Sequence, residues 1–327
     1  MRLGVARLKQ AFKLLVGSAH RARGVVGVNY HRIGDSGWSG LDRGLWSATE
    51  DDFDHQVRWL KEHFDVISPH EIADALEVRR GRHALVTLDD GYLDNFTTAY
   101  PILRARRVPA TFFVVTGFID HGRCVPWWDE LAWMVHRSRR ASLALPPHLP
   151  APVELDELGR ERAIAALNRA YRALPPCEAD ALLDAVCEAT GTGRLREARG
   201  ERLWMTWDML RELRAAGMTI GGHTMSHRML SRLSREEQAR EIDGCGERLR
   251  TELGEPMRMF SYPFGKQGTF DDDTRACLRE AGVELAFTYW GGFCRPGPRD
   301  PYATPRIAIE REHVFDGFRA EVLGAWL

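Results

Sequence analysis

Two pairs of side chains in this 327-residue chain have the types and spacing to form a metal centre. Asp89 and Asp90 are adjacent and follow the apolar run at 84–88. His223 and His227 are four residues apart. One carboxylate and two imidazoles suit a divalent transition metal, with positions left for water and substrate. The second carboxylate would then be free to act as general base on the metal-bound water.

Each pair taken alone also has a simpler interpretation. Asp90 and Gly91 are typical turn residues, and a carboxylate there could cap the turn that follows. The histidines could be surface or capping residues, although on a helical turn their spacing would put both imidazoles on one face. Both pairs follow predicted strands, and active sites of parallel α/β barrels gather at the carboxyl ends of the strands. This coincidence favours chemistry over capping.

Predicted strands alternate with helical patterns along most of the chain. The strands are expected at residues 25–30, 64–68, 85–89, 110–115, 218–221, 259–262, 285–288 and 306–309. Such alternation predicts an α/β fold with a mostly parallel sheet, open or closed into a barrel. At about 119–202 the alternation fails, and helical sequence predicts an insertion beside the core. We therefore expect a basic N-terminal helix at 1–24 and one domain at 25–327 that contains this insertion.

Charge and composition exclude several classes of protein. A formal net charge of -1 gives no general attraction to nucleic acid. No apolar stretch approaches the roughly 18 residues of a membrane span. The basic, amphipathic residues 1–24 could pack on the domain or rest on a membrane surface. The six cysteines are scattered, which indicates reduced thiols. With no export signal, we expect a cytoplasmic protein, with peripheral membrane contact as the alternative.

Three motifs then resemble one family. TLDDG at 87–91, HTMSH at 223–227 and FSYPFG at 260–265 stand in the order found in the polysaccharide deacetylases, carbohydrate esterase family 4. The resemblance covers about Val25 to Ile309. It implies a distorted (β/α) barrel whose members remove acetyl groups from N-acetylated sugars with a divalent metal.

The resemblance also implies roles for individual residues. Asp89 corresponds to the catalytic base, and Asp90 to the metal ligand that acts with the two histidines. The backbone N–H of Phe264 corresponds to a donor that holds the oxyanion of the reaction. Tyr262 of the same motif is predicted to lie at the substrate or oxyanion site.

The chain departs from the common family pattern at two places. Ser261 stands where many members have an arginine, and residues 307–309 lack the late histidine that supplies the general acid. An early Tyr30-His31 pair instead resembles the subgroup that includes poly-N-acetylglucosamine deacetylases. His31 is therefore our candidate general acid, although it could simply bond to a neighbouring carbonyl. Arg306 is a candidate substrate or oxyanion residue and could replace the missing arginine.

The leading hypothesis is a metal-dependent hydrolase that removes N-acetyl groups from N-acetylhexosamine units of a bacterial exopolysaccharide or its precursor. Zinc is the expected metal, with cobalt or nickel as alternatives. The same metal site could instead hydrolyse O-acetyl esters or a small amide. A catalytically silent carbohydrate-binding module is a third hypothesis, but a pure binder has no need for a complete metal set.

Overall fold

The computed structural model describes residues 23–37, 40–77, 81–198, 202–311 and 315–324. Residues 1–22 of the predicted basic helix lie outside the described residues, and Gly24 begins the first strand. The chain forms two compact units. The first comprises residues up to 35, 46–120 and 204 onwards, and the second comprises 36–45 and 121–203.

The helices and strands are numbered in chain order. The strands are β1 (Gly24–Tyr30), β2 (Arg32–Ile33), β3 (Trp46–Ala48), β4 (Asp65–Val66), β5 (Arg82–Leu88), β6 (Thr111–Val114), β7 (Ser142–Leu143), β8 (Val153–Glu154), β9 (Thr219–Gly222), β10 (Met259–Ser261), β11 (Leu285–Phe287), β12 (Phe293–Cys294) and β13 (Ile307–Ala308). The helices are α1 (Glu50–His63), α2 (Ile72–Glu77), α3 (Tyr100–Arg106), α4 (Thr116–His121), α5 (Trp127–Arg137), α6 (Glu157–Ala173), α7 (Pro176–Thr190), α8 (Trp207–Ala215), α9 (Arg235–Leu253), α10 (Asp272–Glu280) and α11 (Phe315–Gly324).

The first unit contains a nine-stranded sheet that runs β11-β10-β9-β6-β5-β1-β12, with β13 paired to β1 and β4 paired to β5. The pairs in this sheet are parallel except for β1 with β12. The segment that enters β13 joins the two sides of the sheet. Thr304 exchanges backbone hydrogen bonds with the β11 region, and the N–H of Ile309 donates to the carbonyl of Asn29 in β1. This closure confirms the predicted distorted (β/α) barrel.

The buried strands explain why the sequence forms this sheet. β1 and β5 are buried along almost their whole length, as expected for parallel strands covered on both faces. Helix α9 begins with a capping box, in which Ser234 accepts from the N–H of Glu237 and the Glu237 carboxylate accepts from the N–H of Ser234. It ends at Gly254, whose φ of 78° lies in the left-handed region that favours glycine. These local signals fix where the helix begins and ends.

The second unit is mainly helical, and α5, α6 and α7 enclose an apolar core of its own. The ring of Trp127 lies flat against that of Tyr171, with ring centroids 3.8 Å apart, and Trp128 is buried. Trp127 therefore uses one aromatic face in packing. The helical stretch lies where the insertion was expected, while its role within one deacetylase domain stays a prediction.

No helix among the described residues is both long enough and apolar enough to cross a membrane.

Candidate metal centre and active site

Three side chains converge where β5 and β9 end. The nearest potential ligand atoms of Asp90, His223 and His227 lie within 4.8 Å of one another. Asp90 Oδ1 is 3.4 Å from the Nε2 atom of each histidine. This oxygen is buried and accepts no hydrogen bond from the described residues. A buried, unsatisfied carboxylate oxygen is costly, and a cation between the three side chains would satisfy it. The residues therefore fit a divalent metal ion.

Burial and mutual charge shift the pKa values of all three side chains, Asp90, His223 and His227. Burial raises the pKa of Asp90, but the nearby histidines outweigh this and hold the pKa below its usual value. Burial lowers the pKa of His227 to about 3, so its imidazole is neutral. Burial also acts to lower the pKa of His223, but Asp90 and Asp89 raise it overall. His223 Nδ1 lies 2.6 Å from the carbonyl oxygen of Ser261. Because a carbonyl oxygen can only accept a hydrogen bond, Nδ1 is the donor, and Nε2 is left to face Asp90.

The histidines meet through a loop, and not through the helical turn on which their spacing would also put both imidazoles on one face. Thr224 and His227 have φ values of 67° and 58°, in the left-handed region that an α-helix does not use. The hydroxyl of Thr224 accepts from the N–H of His227 at 2.9 Å and stabilises this conformation. Asp90 also has a positive φ, of 76°. Strained backbone on both sides of the site is typical of a functional centre.

Glu241 on α9 holds the histidine loop, and sequence analysis missed it. Its Oε2 accepts from the N–H groups of Met225 and Ser226 at 3.0 and 2.9 Å, and its Oε1 accepts from the Ser226 hydroxyl. No local pattern marks this role, because Glu241 lies on a long amphipathic helix among other acidic residues. The carboxylate supports the backbone that leads to His227.

We expect Glu241→Ala to weaken metal binding by about 10- to 100-fold, the usual cost of losing a group that orients a ligand. The loop would lose three hydrogen bonds, and the two imidazoles would no longer be held together. Competition with a chromophoric chelator measures the affinity. The matched control is Glu247→Ala on the exposed side of the same helix. Equal affinities for the two variants would show that the loop needs no such support.

Asp89 is buried and fully hydrogen-bonded. Arg306 donates to both of its oxygens, each at 2.8 Å, in a bidentate pair. The Ser261 hydroxyl and the Asn29 amide also donate to Oδ2, at 3.0 and 3.2 Å. Burial raises the pKa of Asp89, but the charge and hydrogen bonds of Arg306 together with the nearby histidines outweigh this, and the pKa lies below its usual value. The carboxylate is therefore ionised at neutral pH, as a general base must be.

Arg306 lies behind Asp89 with no exposed surface. Besides the carboxylate, it donates to the Ser261 hydroxyl at 2.7 Å and to the Thr288 carbonyl at 3.0 Å. The structure thus brings Arg306 to the carboxylate of Asp89. The small Ser261 side chain lies beside the guanidinium of Arg306 and accepts a hydrogen bond from it, so the serine at 261 is accompanied by an arginine just before β13.

We expect Arg306→Met to lower the free energy of unfolding by about 3 to 5 kcal/mol, because it leaves the buried carboxylate of Asp89 without its partner. Urea unfolding followed by circular dichroism measures this. Arg279→Met is the control, since Arg279 is exposed and lies over the ring of Tyr302. If both variants unfold at the same urea concentration, the pair does not stabilise the fold.

The remaining predicted residues occupy different positions. His31 follows β1 and meets the ring of Tyr289 edge to face, with centroids 5.5 Å apart. Its charge contributes to lowering the pKa of Asp90, which indicates that it lies close to the metal set. Phe264 has a φ of 63°, and its ring centroid is 5.2 Å from that of His227. Tyr262 by contrast is buried.

The Tyr262 side chain is engaged in packing. Its hydroxyl donates to the carbonyl of Tyr302 at 2.9 Å, and its ring stacks on Phe270 with centroids 3.8 Å apart. Its predicted place at the substrate or oxyanion site therefore has no support from its side-chain contacts.

Comparison with known proteins identifies similar chains. The polysaccharide deacetylase family profile matches residues 77–145 and 187–286. The poly-beta-1,6-N-acetyl-D-glucosamine N-deacetylase of Escherichia coli strain K12 is 23% identical over 308 residues. The match covers 92% of this chain and 38% of that protein, so the chain spans well under half the length of this relative.

Two solved structures share the fold. The deacetylase PplD of Streptococcus pyogenes, in complex with acetate, has a TM-score of 0.59 at 18% identity, covering 91% of this chain and 97% of that one. IcaB from Ammonifex degensii has a TM-score of 0.58 at 20% identity, covering 94% and 99%. At these identities the likeness is one of fold alone.

Proposed function

Because this chain belongs to the polysaccharide deacetylase family, we propose that it is a divalent-metal-dependent hydrolase that removes N-acetyl groups from N-acetylhexosamine units of a polysaccharide. The observation that carries the proposal is the pairing of two different carboxylates. Asp90 has a buried, unsatisfied oxygen facing two histidines, while Asp89 is held ionised by Arg306. One is suited to bind a metal ion and its neighbour to take a proton.

A divalent cation held by Asp90, His223 and His227 would supply polarisation of the acetamide carbonyl and a lower pKa of the attacking water. Asp89 accepts one proton of the attacking water while the oxygen of that water forms a bond to the carbonyl carbon. The N–H of Phe264 donates to the carbonyl oxygen while it carries negative charge. The C–N bond then breaks, and His31 gives its proton to the departing nitrogen. Acetate and the amine of the sugar are the products.

The E. coli relative, named for poly-beta-1,6-N-acetyl-D-glucosamine, supports β-1,6-linked N-acetylglucosamine as the polymer to test first. Zinc is the metal that we propose, with cobalt and nickel as the alternatives to compare. A cytoplasmic location, with peripheral membrane contact through residues 1–24, remains a further proposal that cell fractionation tests.

The proposal is tested by comparing amide and ester substrates. We expect the purified chain with zinc to release acetate from β-1,6-linked N-acetylglucosamine oligomers. Acetate release only from O-acetylated xylo-oligomers would instead establish an esterase. Binding of N-acetylglucosamine oligomers with no acetate release, whichever of the three metals is added, would identify a silent carbohydrate-binding module.

A further inference from the structure

The turn that carries His31 is held by the segment that follows β5. Asn95 Nδ2 donates to the carbonyl oxygen of His31 at 2.7 Å. Two residues further along the turn, the N–H of Ile33 donates to Asp94 Oδ1 at 3.1 Å. The Ser47 hydroxyl accepts from the N–H of His31 at 3.0 Å. The backbone on both sides of the imidazole is therefore fixed by side chains from elsewhere in the barrel.

Arg32, the residue after His31, reinforces this hold. Its Nε donates to Asp94 Oδ2 at 2.8 Å, and both side chains are largely buried. Its guanidinium carbon lies 3.7 Å from the ring centroid of Trp46 and 4.4 Å from that of Tyr92. Burying a charge is costly unless it is paired, and this arginine is paired with a carboxylate and lies against two aromatic faces. The contacts of Arg32 with Asp94, Trp46 and Tyr92 therefore restrain the turn that carries His31.

Asn95 occupies an unusual backbone position. It begins the π-helical turn Asn95–Ala99, and the side chain has no exposed surface. Such turns are rare and are found frequently at functional sites. Among the described residues, its side-chain amide bonds only to the carbonyl of His31 and to Asp94.

Neither Asp94 nor Asn95 makes a side-chain hydrogen bond or ion pair to Asp90, His223 or His227 in the described parts of the chain. A role in orienting the metal ligands therefore has no contact to support it. The contacts lead instead to the turn on the other side of the site, where His31 lies.

We propose that Asn95 and Asp94 are positioning residues for His31, so that the segment at 89–95 carries the base and a metal ligand and also fixes the place of the general acid. This rests on the proposed function, in which His31 protonates the leaving nitrogen. A general acid must lie within hydrogen-bond reach of the atom that it protonates, so a turn free to move would lose part of this assistance.

The test uses the leaving group. Breaking an amide C–N bond needs a proton on nitrogen, whereas 4-nitrophenyl acetate releases a weakly basic phenolate that departs without one. Removing the acid or its support should therefore slow the amide alone, while damage to the base or the metal set should slow both substrates. Turnover of N-acetylglucosamine oligomers and of 4-nitrophenyl acetate is measured for the wild-type chain, His31→Ala, Asn95→Ala and Thr97→Ala. Thr97 lies on the same π-helical turn with an exposed side chain and is the matched control.

We expect Asn95→Ala to lose about 10- to 100-fold in amide turnover, part of the effect of a general acid. Aryl ester turnover and metal content should stay near wild type, with the same pattern in His31→Ala and no change in Thr97→Ala. Unchanged amide turnover in Asn95→Ala, or equal losses on both substrates, would overturn the positioning role. If Asn95→Ala does not fold, Asp94→Asn carries the same test. A wild-type chain that cleaves no amide refutes the proposed function instead, which separates the two failures.

Discussion

Asp89→Asn should keep the metal ion and lose about 100- to 10,000-fold in amide turnover, the usual contribution of a general base. Asparagine has nearly the shape of aspartate, but its amide cannot take a proton from water. Because Asp90, His223 and His227 are unchanged, metal bound per chain should stay at the wild-type level. Initial rates of acetate release and elemental analysis after dialysis measure the two quantities.

Stability provides a control for this variant. Asp89→Asn leaves the buried guanidinium of Arg306 without its anionic partner, which costs about 3 to 5 kcal/mol in similar buried pairs. Adding Arg306→Met removes the stranded charge, so the double variant should recover much of the lost stability while its turnover stays low. Turnover that returned together with stability would show that Asp89 acts through the fold and not as the base.

Asp90→Ala should lose the metal ion itself. Asp90 is the one carboxylate in the described ligand set, and its removal leaves two imidazoles with no anionic ligand to hold a divalent cation. We expect little metal per chain after dialysis and amide turnover at the background level. Asp208→Ala, at an exposed position on α8, is the control for the loss of a surface carboxylate.

The outcome also separates the two adjacent aspartates. Metal retained in Asp89→Asn but lost in Asp90→Ala is the pattern that the geometry predicts. One ion per chain in Asp90→Ala would instead mean that the metal binds at a different set of residues.

Local patterns in the sequence predicted the elements that position the site. Strands were expected at eight of the nine strands of the main sheet, because parallel strands buried on both faces are continuous apolar runs, and only the short antiparallel strand β12 was missed. The capping-box residues Ser234 and Glu237 and the glycine at 254 are local signals of the same kind for the two ends of α9. These signals depend on neighbouring residues alone, so they can be read without knowing the fold.

Long-range contacts could not be predicted in the same way. Arg306 meets Asp89 across 217 residues of sequence, and this contact depends on β13 lying beside β1 with Ile307 opposite Val28. The left-handed φ of Thr224 is also not encoded by spacing, so the loop that brings the two histidines together could not be predicted from their separation. Glu241 shows the same limit, because the direction of a side chain on an amphipathic helix is set by packing.

The most direct test is acetate release by metal-free and reconstituted protein. The purified chain is stripped with a chelator, dialysed, and given β-1,6-linked N-acetylglucosamine oligomers with and without one equivalent of zinc, cobalt or nickel. We predict no acetate from the stripped chain, and turnover that returns when a divalent ion is added to the wild type but not to Asp90→Ala. Acetate release at the full rate from the stripped chain would contradict a metal-dependent deacetylase built on Asp90, His223 and His227.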